Sequence, residues 1–200
     1  MVVMGLIYGD DIFQFLASQY EVEGAMSQRD ILAAQQLANM KAPQTSEWGP
    51  LVWKMLHWMS LKVGVQKAKI LQDDETQGWI ALLKGLGNIL PCAQCRIHYK
   101  EFYIAHIDIK LLKTCGEGEA KQKLISRWLY DLHENVNQRK SVESGIIFES
   151  LGELYKDINF SEVRTQFSDI LVRALQQNIV LREHVLQWKT TIAQLYGIYR

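Results

Sequence analysis

The sequence has little of several features that would assign it to a class of protein. Its 200 residues include only three cysteines and three prolines, and its formal net charge is zero. Three cysteines are too few for a small secreted scaffold held by disulfides. A neutral chain has no overall attraction for nucleic acid or for an anionic membrane. We therefore expect no nucleic-acid partner, and so few cysteines favour catalysis or metal binding over structural bridging.

Long apolar runs are also missing. No uninterrupted run reaches the roughly 20 residues that a membrane helix requires, so we predict no membrane span. The first residues, MVVMGLIYGDD, carry no Lys or Arg before a short apolar run, which is unlike a signal peptide. Apolar residues make up 48% of the chain and charged residues 22%, and this balance predicts a soluble globular protein.

The scarcity of proline and of alternating apolar and polar residues predicts a nearly all-helical fold. From Leu51 onward, apolar residues recur at spacings of three and four. Four helices between residues 50 and 140, with short connections and a polar break at 72–76, indicate a bundle. Further helices are predicted on either side, at 10–22, 27–40, 145–156, 160–179 and 181–197.

The strongest local motif is PCAQCRIHY, which begins at Pro91. Proline is favoured in the first turn of a helix, so this pattern predicts that Cys92 and Cys95 lie in the opening turns of one. A spacing of three brings both sulfurs to one face. Backbone N–H groups and the helix dipole favour thiolate at that end, which suits redox chemistry. A zinc site with two of His98, His106 and Cys115, or a plain structural pair, remains open.

Two further helices carry polar residues along one stripe. In WGPLVWKMLHWMS, Trp53 and His57 lie four residues apart, and in WLYDLHENVNQRK so do His133 and Asn137. Taken alone, the first indicates a buried aromatic helix or a flat wall for a planar cofactor. Taken alone, the second indicates a solvated face or a surface for ribose, adenine and phosphate. Each motif by itself favours the plainer structural interpretation.

Taken in order, the three motifs resemble the Erv/ALR family of FAD-linked sulfhydryl oxidases, over roughly residues 46–140. The WLYDLH segment most resembles the small oxidases of large DNA viruses. The resemblance implies an all-α chain with an Erv-type four-helix bundle and a short fifth helix, with FAD held at its mouth. It divides the chain into an N-terminal helical extension, an FAD-binding sulfhydryl oxidase domain and a C-terminal helical extension, at 1–43, 44–142 and 143–200.

The resemblance also implies an activity. Cys92 and Cys95 would form the redox disulfide, with Cys95 beside the flavin and Cys92 as the sulfur that a substrate thiolate attacks. Electrons would pass from this pair through FAD to molecular oxygen, giving hydrogen peroxide, and no metal is implied. The cofactor-binding residues carried over from the motifs are Trp48, Gly49, Pro50, Trp53, His57, His98, Trp128, His133, Val136, Asn137, Arg139 and Lys140.

The sequence departs from the family's pattern at several positions. Glu134 stands where the family commonly has Asn, and Val142 where a later Lys is usual, so the departures fall on the adenine and phosphate contacts and not on the cysteine pair. Cys115 has no partner for a structural disulfide, and no second pair exists to shuttle electrons. Protein substrate thiols would therefore reach Cys92 directly or through a separate redox carrier protein.

Two alternatives remain at this stage: a zinc-binding helical interaction protein, and a catalytically weakened oxidase that serves as an interaction protein. Relatives in the family pair through their bundle helices, which predicts a homodimer. Without a signal peptide, we expect the host cytoplasm or a virion if the protein is viral, or otherwise a mitochondrial intermembrane space.

Overall fold

The computed structural model describes residues 27–116 and 118–200, and within these it contains nine α-helices, one 3-10 turn and no β-strand. The prediction of an all-α fold is confirmed, while the helix predicted at 10–22 lies outside the described residues. The α-helices are α1 (Gln28–Ala38), α2 (Thr45–Ser60), α3 (Lys69–Ile89), α4 (Ala93–His106), α5 (Ile109–Thr114), α6 (Glu119–Arg139), α7 (Leu151–Tyr155), α8 (Phe160–Gln176) and α9 (Arg182–Ile198).

The backbone divides between Ala42 and Pro43 into two units. The first contains α1, and the second, Pro43–Arg200, contains α2 to α9. Within the second unit, α2, α3, α4 and α6 are the four long helices of the predicted bundle, and α5, with six residues, is its short fifth helix. The predicted C-terminal extension, 143–200, lies in this same compact unit.

Helix α2 begins at Thr45, earlier than the predicted bundle span of 50–140, and Pro50 lies inside it. The Glu47 carboxylate accepts a hydrogen bond from the backbone N–H of Gln44 at 2.8 Å. This bond satisfies one of the donors left free at a helix start, which explains why the helix extends to Thr45.

Helix α3 runs unbroken through the polar stretch 72–76, so the predicted break there is wrong. Glu75 is fully buried and accepts hydrogen bonds from the backbone N–H of Gly64, at 3.1 and 3.2 Å. Thr76 accepts one from the Nζ of buried Lys121 at 2.5 Å. These polar side chains are turned inward because partners from α6 and the loop after α2 satisfy them.

The C-terminal helices complete the core of the second unit. Helix α8 packs on α2, and α9 packs along α3. Trp79 of α3 is fully buried, and its indole N–H donates to the Tyr199 hydroxyl at 2.7 Å. Gly78 lets α9 approach closely, because a Cβ there would lie 2.7 Å from a methyl carbon of Leu195. The bundle thus buries its α2 and α3 faces against helices of its own chain.

Candidate functional site

The two cysteines of the CxxC motif form a disulfide at the start of α4. Their Cα atoms are 5.2 Å apart, within the range that a disulfide requires. Cys92 is the N-cap of α4, and its Sγ accepts a hydrogen bond from the Cys95 N–H at 3.1 Å. The helix starts two residues later than Pro91 because the Cys92 side chain itself caps it. Cys115 is a free thiol.

A cavity of about 260 Å³ opens beside this disulfide. Its wall is mainly apolar and comes from α2, the end of α3, the start of α4 and the end of α6. Both cysteines belong to the wall, and several aromatic side chains contribute to it. The lining residues are Thr45, Trp48, Gly49, Val52, Trp53, Leu86, Leu90, Cys92, Gln94, Cys95, His98, Tyr99, Leu132, Asn135, Val136, Arg139 and Lys140.

Seven of the twelve cofactor-binding residues predicted from the sequence line this cavity: Trp48, Gly49, Trp53, His98, Val136, Arg139 and Lys140. Trp48 is buried, and its Nε1 has no hydrogen-bond partner among the described residues. His98 is held by the side chain of Gln94, with 2.5 Å between the two Nε2 atoms. The structure therefore gathers residues of all three motifs around the disulfide.

The other five predicted residues lie elsewhere. Pro50 is exposed on α2. Trp128 lines a separate small cavity of about 70 Å³ beside α5, and its Nε1 is buried without a partner in the described part of the chain. The Asn137 amide donates to a Glu134 carboxylate oxygen at 3.1 Å. His57 and His133 pack against each other away from the cavity wall.

Four aromatic rings from three helices form a stack behind the cavity. The rings of Trp53 and His133 lie 4.0 Å apart between centroids, and those of His57 and Tyr155 lie 4.7 Å apart. A hydrogen bond of 3.2 Å joins His57 Nε2 to His133 Nδ1. We call these four residues the ring stack. Its contacts show that the two predicted histidines bind each other and neighbouring rings.

Burial changes the protonation of both histidines. Desolvation, aided by the charge of His133, lowers the pKa of fully buried His57 to about 3. Desolvation also lowers the pKa of His133 to about 4, with Lys140 acting in the same direction and Glu134 against it. Both imidazoles are therefore neutral near pH 7, which suits packing against aromatic faces.

Positive charge gathers at the end of α6 that borders the cavity. Arg139 and Lys140 are exposed there. The Arg139 guanidinium pairs with Glu101 of α4 at 3.3 Å, and its Nε donates to the Asn135 side-chain oxygen at 3.2 Å. The guanidinium of Arg139 is thus held above the cavity by contacts to both helices.

Two aromatic residues of the site, Tyr99 and Tyr155, were not predicted from the sequence. Tyr99 lines the cavity and donates through its hydroxyl to the Leu83 carbonyl at 2.5 Å. Its spacing of four from Cys95 was a usable signal, because residues four apart share a helix face. Tyr155 of the ring stack gave no such signal, since its position depends on how the segment after α6 folds back against that helix.

The position of this segment is fixed by side-chain hydrogen bonds to α6. The Tyr130 hydroxyl donates to the Ile146 carbonyl at 3.0 Å, and the Ser144 hydroxyl donates to Glu134 at 2.8 Å. Glu134, the departure from the family pattern, therefore receives bonds from both Asn137 and Ser144. These contacts hold the chain that leads to Tyr155 against α6.

The described residues contain no group of three or more His, Cys, Asp or Glu side chains that could hold a metal ion. His98, His106 and Cys115 therefore do not join the cysteine pair as the zinc alternative requires. None of the helices in residues 27–116 and 118–200 is long and apolar enough to cross a membrane.

Comparison with known proteins gives one match. A protein-family model described as the Erv1 / Alr family matches residues 50–151, which is 102 of the 200 residues. No curated protein and no solved structure shows a significant match. The matched span begins inside α2 and ends at the first residue of α7, so it contains the disulfide and most of the cavity wall.

Proposed function

The chain belongs to the Erv1/Alr family, a family of FAD-linked sulfhydryl oxidases, and from this premise we propose that it forms disulfides in protein substrates. Cys92 and Cys95 are the proposed redox pair. The observation that carries the proposal is that their disulfide, at the start of a helix, is part of the wall of an apolar cavity lined by aromatic rings.

The cavity suits the flat ring system of FAD. Trp48, Trp53 and Tyr99 contribute aromatic surface to its wall. The buried Trp48 N–H lacks a partner in the described chain, and such a donor costs free energy until it is satisfied. A polar ring atom in the cavity would accept this hydrogen bond. Arg139 and Lys140 would supply positive charge to the pyrophosphate.

The adenosine end fits less directly. A volume of about 260 Å³ lies near the lower limit of ligand pockets, roughly 300 Å³, so it suits only a part of FAD. The Trp53 and His133 rings, 4.0 Å apart, leave no space for a third ring between them. The proposed adenosine contacts of His57 and His133 therefore require the ring stack to open, and the other two proposed contacts, Trp128 and Asn137, lie outside the cavity wall.

Thiol oxidation begins on this chain's own sulfurs. A substrate thiolate attacks the Sγ of Cys92, the disulfide breaks, and Cys95 leaves as a thiolate. A second substrate thiolate then attacks the substrate sulfur of the mixed disulfide, and Cys92 leaves as a thiolate. Two substrate thiols thereby lose two electrons and two protons, and the cysteine pair gains the two electrons.

The start of α4 favours this exchange. The helix dipole and free N–H groups stabilise the Cys92 thiolate, and the Cys95 N–H already points at the Cys92 sulfur. Bound FAD would supply the electron acceptor that restores the disulfide, with oxygen as the final acceptor and hydrogen peroxide as the product.

Substrates and assembly are part of the proposal. The substrates are thiol-containing proteins or a redox carrier protein that reaches Cys92. Helices α8 and α9 pack on α2 and α3, so the proposed homodimer would join through surfaces that these two helices leave uncovered. The likeness to viral oxidases and the compartment stay predictions.

The test is the visible absorption and the oxygen consumption of the purified full-length chain. We expect a flavin spectrum and oxygen uptake with a dithiol, both retained in Cys115→Ser. Uptake should be lost in Cys92→Ser. A protein that shows no flavin spectrum and consumes no oxygen after FAD is added would contradict the proposal.

A second candidate is a weakened oxidase that serves as an interaction protein. The closed ring stack favours it, because His57 and His133 already bind each other. The same experiment separates the two functions. A bound flavin with negligible oxygen uptake would favour the weakened oxidase.

A further inference from the structure

The turn between α8 and α9 is built to present a backbone carbonyl. Asn178 adopts a left-handed backbone conformation, with φ of 54°, which Asn tolerates better than most residues. The Ile179 N–H then donates back to the Ala174 carbonyl at 2.8 Å, closing the end of α8. This closure fixes the position of the Ile179 carbonyl.

Arg96 joins that turn to the redox disulfide. Its Nη1 donates to the Ile179 carbonyl at 3.2 Å and to the Leu90 carbonyl at 2.9 Å. The Leu90 carbonyl also accepts from the Cys92 N–H at 2.8 Å. Half-buried Arg96 therefore binds the same Leu90 carbonyl that accepts the hydrogen bond from the Cys92 backbone.

Of the two contacts of Arg96, one is local in the sequence and the other is distant. Arg96 immediately follows Cys95, whereas Ile179 lies 83 residues away in the C-terminal part of the chain. Hydrogen bonds from a charged donor are stronger than those between neutral groups. They are strong enough to fix the loop that carries Cys92 relative to the helix that carries Cys95.

We propose that Arg96 is a positioning residue of the redox pair, and that the α8–α9 turn is part of the scaffold of the site. By holding the Leu90–Cys92 turn against α4, Arg96 keeps the two sulfurs within bonding distance when the pair is reduced. This inference rests on the proposed redox role of the pair, and it assigns a function to helices outside the bundle.

The test is the equilibrium constant for closing the Cys92–Cys95 disulfide in dithiothreitol redox buffers, measured on the full-length chain without oxygen. Arg96→Met should lower it at least threefold, which is about 14 mV for a two-electron couple. The reason is that the reduced thiols lose their fixed geometry. Arg182→Met, at an exposed arginine in the first turn of α9, removes an equal charge and should leave the constant unchanged.

A second pair of variants tests the contact with the turn while keeping the charge of Arg96. Asn178→Val should lower the constant in the same direction, because a β-branched residue is strained in the left-handed region. Asn178→Gly should preserve it. The constant of the double variant Arg96→Met with Asn178→Val should fall no further than that of Arg96→Met alone, since Asn178→Val removes only a contact that Arg96→Met has already removed.

The outcomes separate this inference from the proposed function. If the wild-type pair does not exchange with the buffer at all, the proposed function fails. If it exchanges, and folded Arg96→Met keeps the wild-type constant, the role of Arg96 is refuted while the proposed function stands. Fully additive effects in the double variant would also refute a shared contact.

Discussion

The histidines of the ring stack have their chemistry set by the exclusion of water. His57 has no exposed surface, and burial lowers its pKa to about 3. His133, partly buried, has a pKa lowered to about 4. An unfolded chain would bind protons on both near pH 6.5. Between about pH 6.5 and pH 4, the two histidines therefore stay largely neutral in the folded state and become protonated in the unfolded state.

This difference predicts that acid destabilises the fold. Between pH 7 and pH 5 the unfolded chain gains protons that the native state excludes, so stability falls with falling pH. Each of the two histidines should contribute a loss on the order of 2 kcal/mol over this range. Urea unfolding of the flavin-free protein at a series of pH values measures it.

The slope of stability against pH isolates this contribution from that of the carboxylates. His57→Phe keeps a ring in the stack and removes one titrating group, so its slope should be smaller than that of the wild type. Tyr155→Phe, which changes a ring of the same stack whose pKa burial raises above its usual value, should keep the wild-type slope. Equal slopes in all three proteins would show that His57 does not titrate in the way described.

Among the helices and their connections, the close approach of two glycines joins the loop after α2 to the start of α6. Gly64 has a φ of +79°, and a Cβ there would lie 2.4 Å from the Gly118 carbonyl oxygen. Neither backbone can move far, because the Gly64 N–H is held by buried Glu75. The polar stretch of α3 and the start of α6 are thus fixed by one contact.

Gly64→Ala should therefore destabilise the protein by more than a left-handed conformation alone explains. Strain in that conformation costs about 1–2 kcal/mol, and the backbone clash adds about 1–3 kcal/mol. Gly145→Ala is the matched control, since Gly145 has a φ of +64° and open space around it. Chemical unfolding of the two variants should separate strain from clash, and equal losses would contradict the close approach.

Helix positions were largely predictable, because they follow local periodicity. Helices α8 and α9 lie within a few residues of the predicted 160–179 and 181–197. The continuation of α3 through the polar stretch 72–76 was not predictable. Glu75 and Thr76 are buried there because they bind partners that are far away in the sequence. Local sequence patterns predict which residues share a helix face, but they do not predict which other part of the chain packs against that face.

The same limit applies to the candidate site. Cys92, Cys95 and Trp53 were identified from motifs, and the structure places all three on one cavity wall. The spacing of Trp53 and His57 correctly puts them on one stripe, but only tertiary packing turns His57 toward Tyr155. Arg96 gave a local signal as a charge near the cysteines, whereas its contact with Ile179 depends on the whole fold.

At the scale of the whole molecule, the C-terminal helices form one compact unit with the bundle that carries the disulfide. Helix α8 covers α2, α9 covers α3, and their connecting turn reaches Arg96 beside the disulfide. We propose that Cys95 passes electrons to a flavin in the adjoining cavity. This proposal unites the helix-start disulfide, the aromatic wall and the unpartnered Trp48 N–H.

The most direct test is the bleaching of bound flavin when a dithiol is added without oxygen to the full-length, FAD-loaded protein. Wild-type protein and Cys115→Ser should bleach at the same rate. Cys95→Ser should keep its flavin bound and oxidised, with the rate at least 100-fold lower, because the sulfur that donates the electrons is gone. A Cys95→Ser protein that bleaches as fast as wild type, or a wild-type flavin that the dithiol leaves oxidised, would contradict the account.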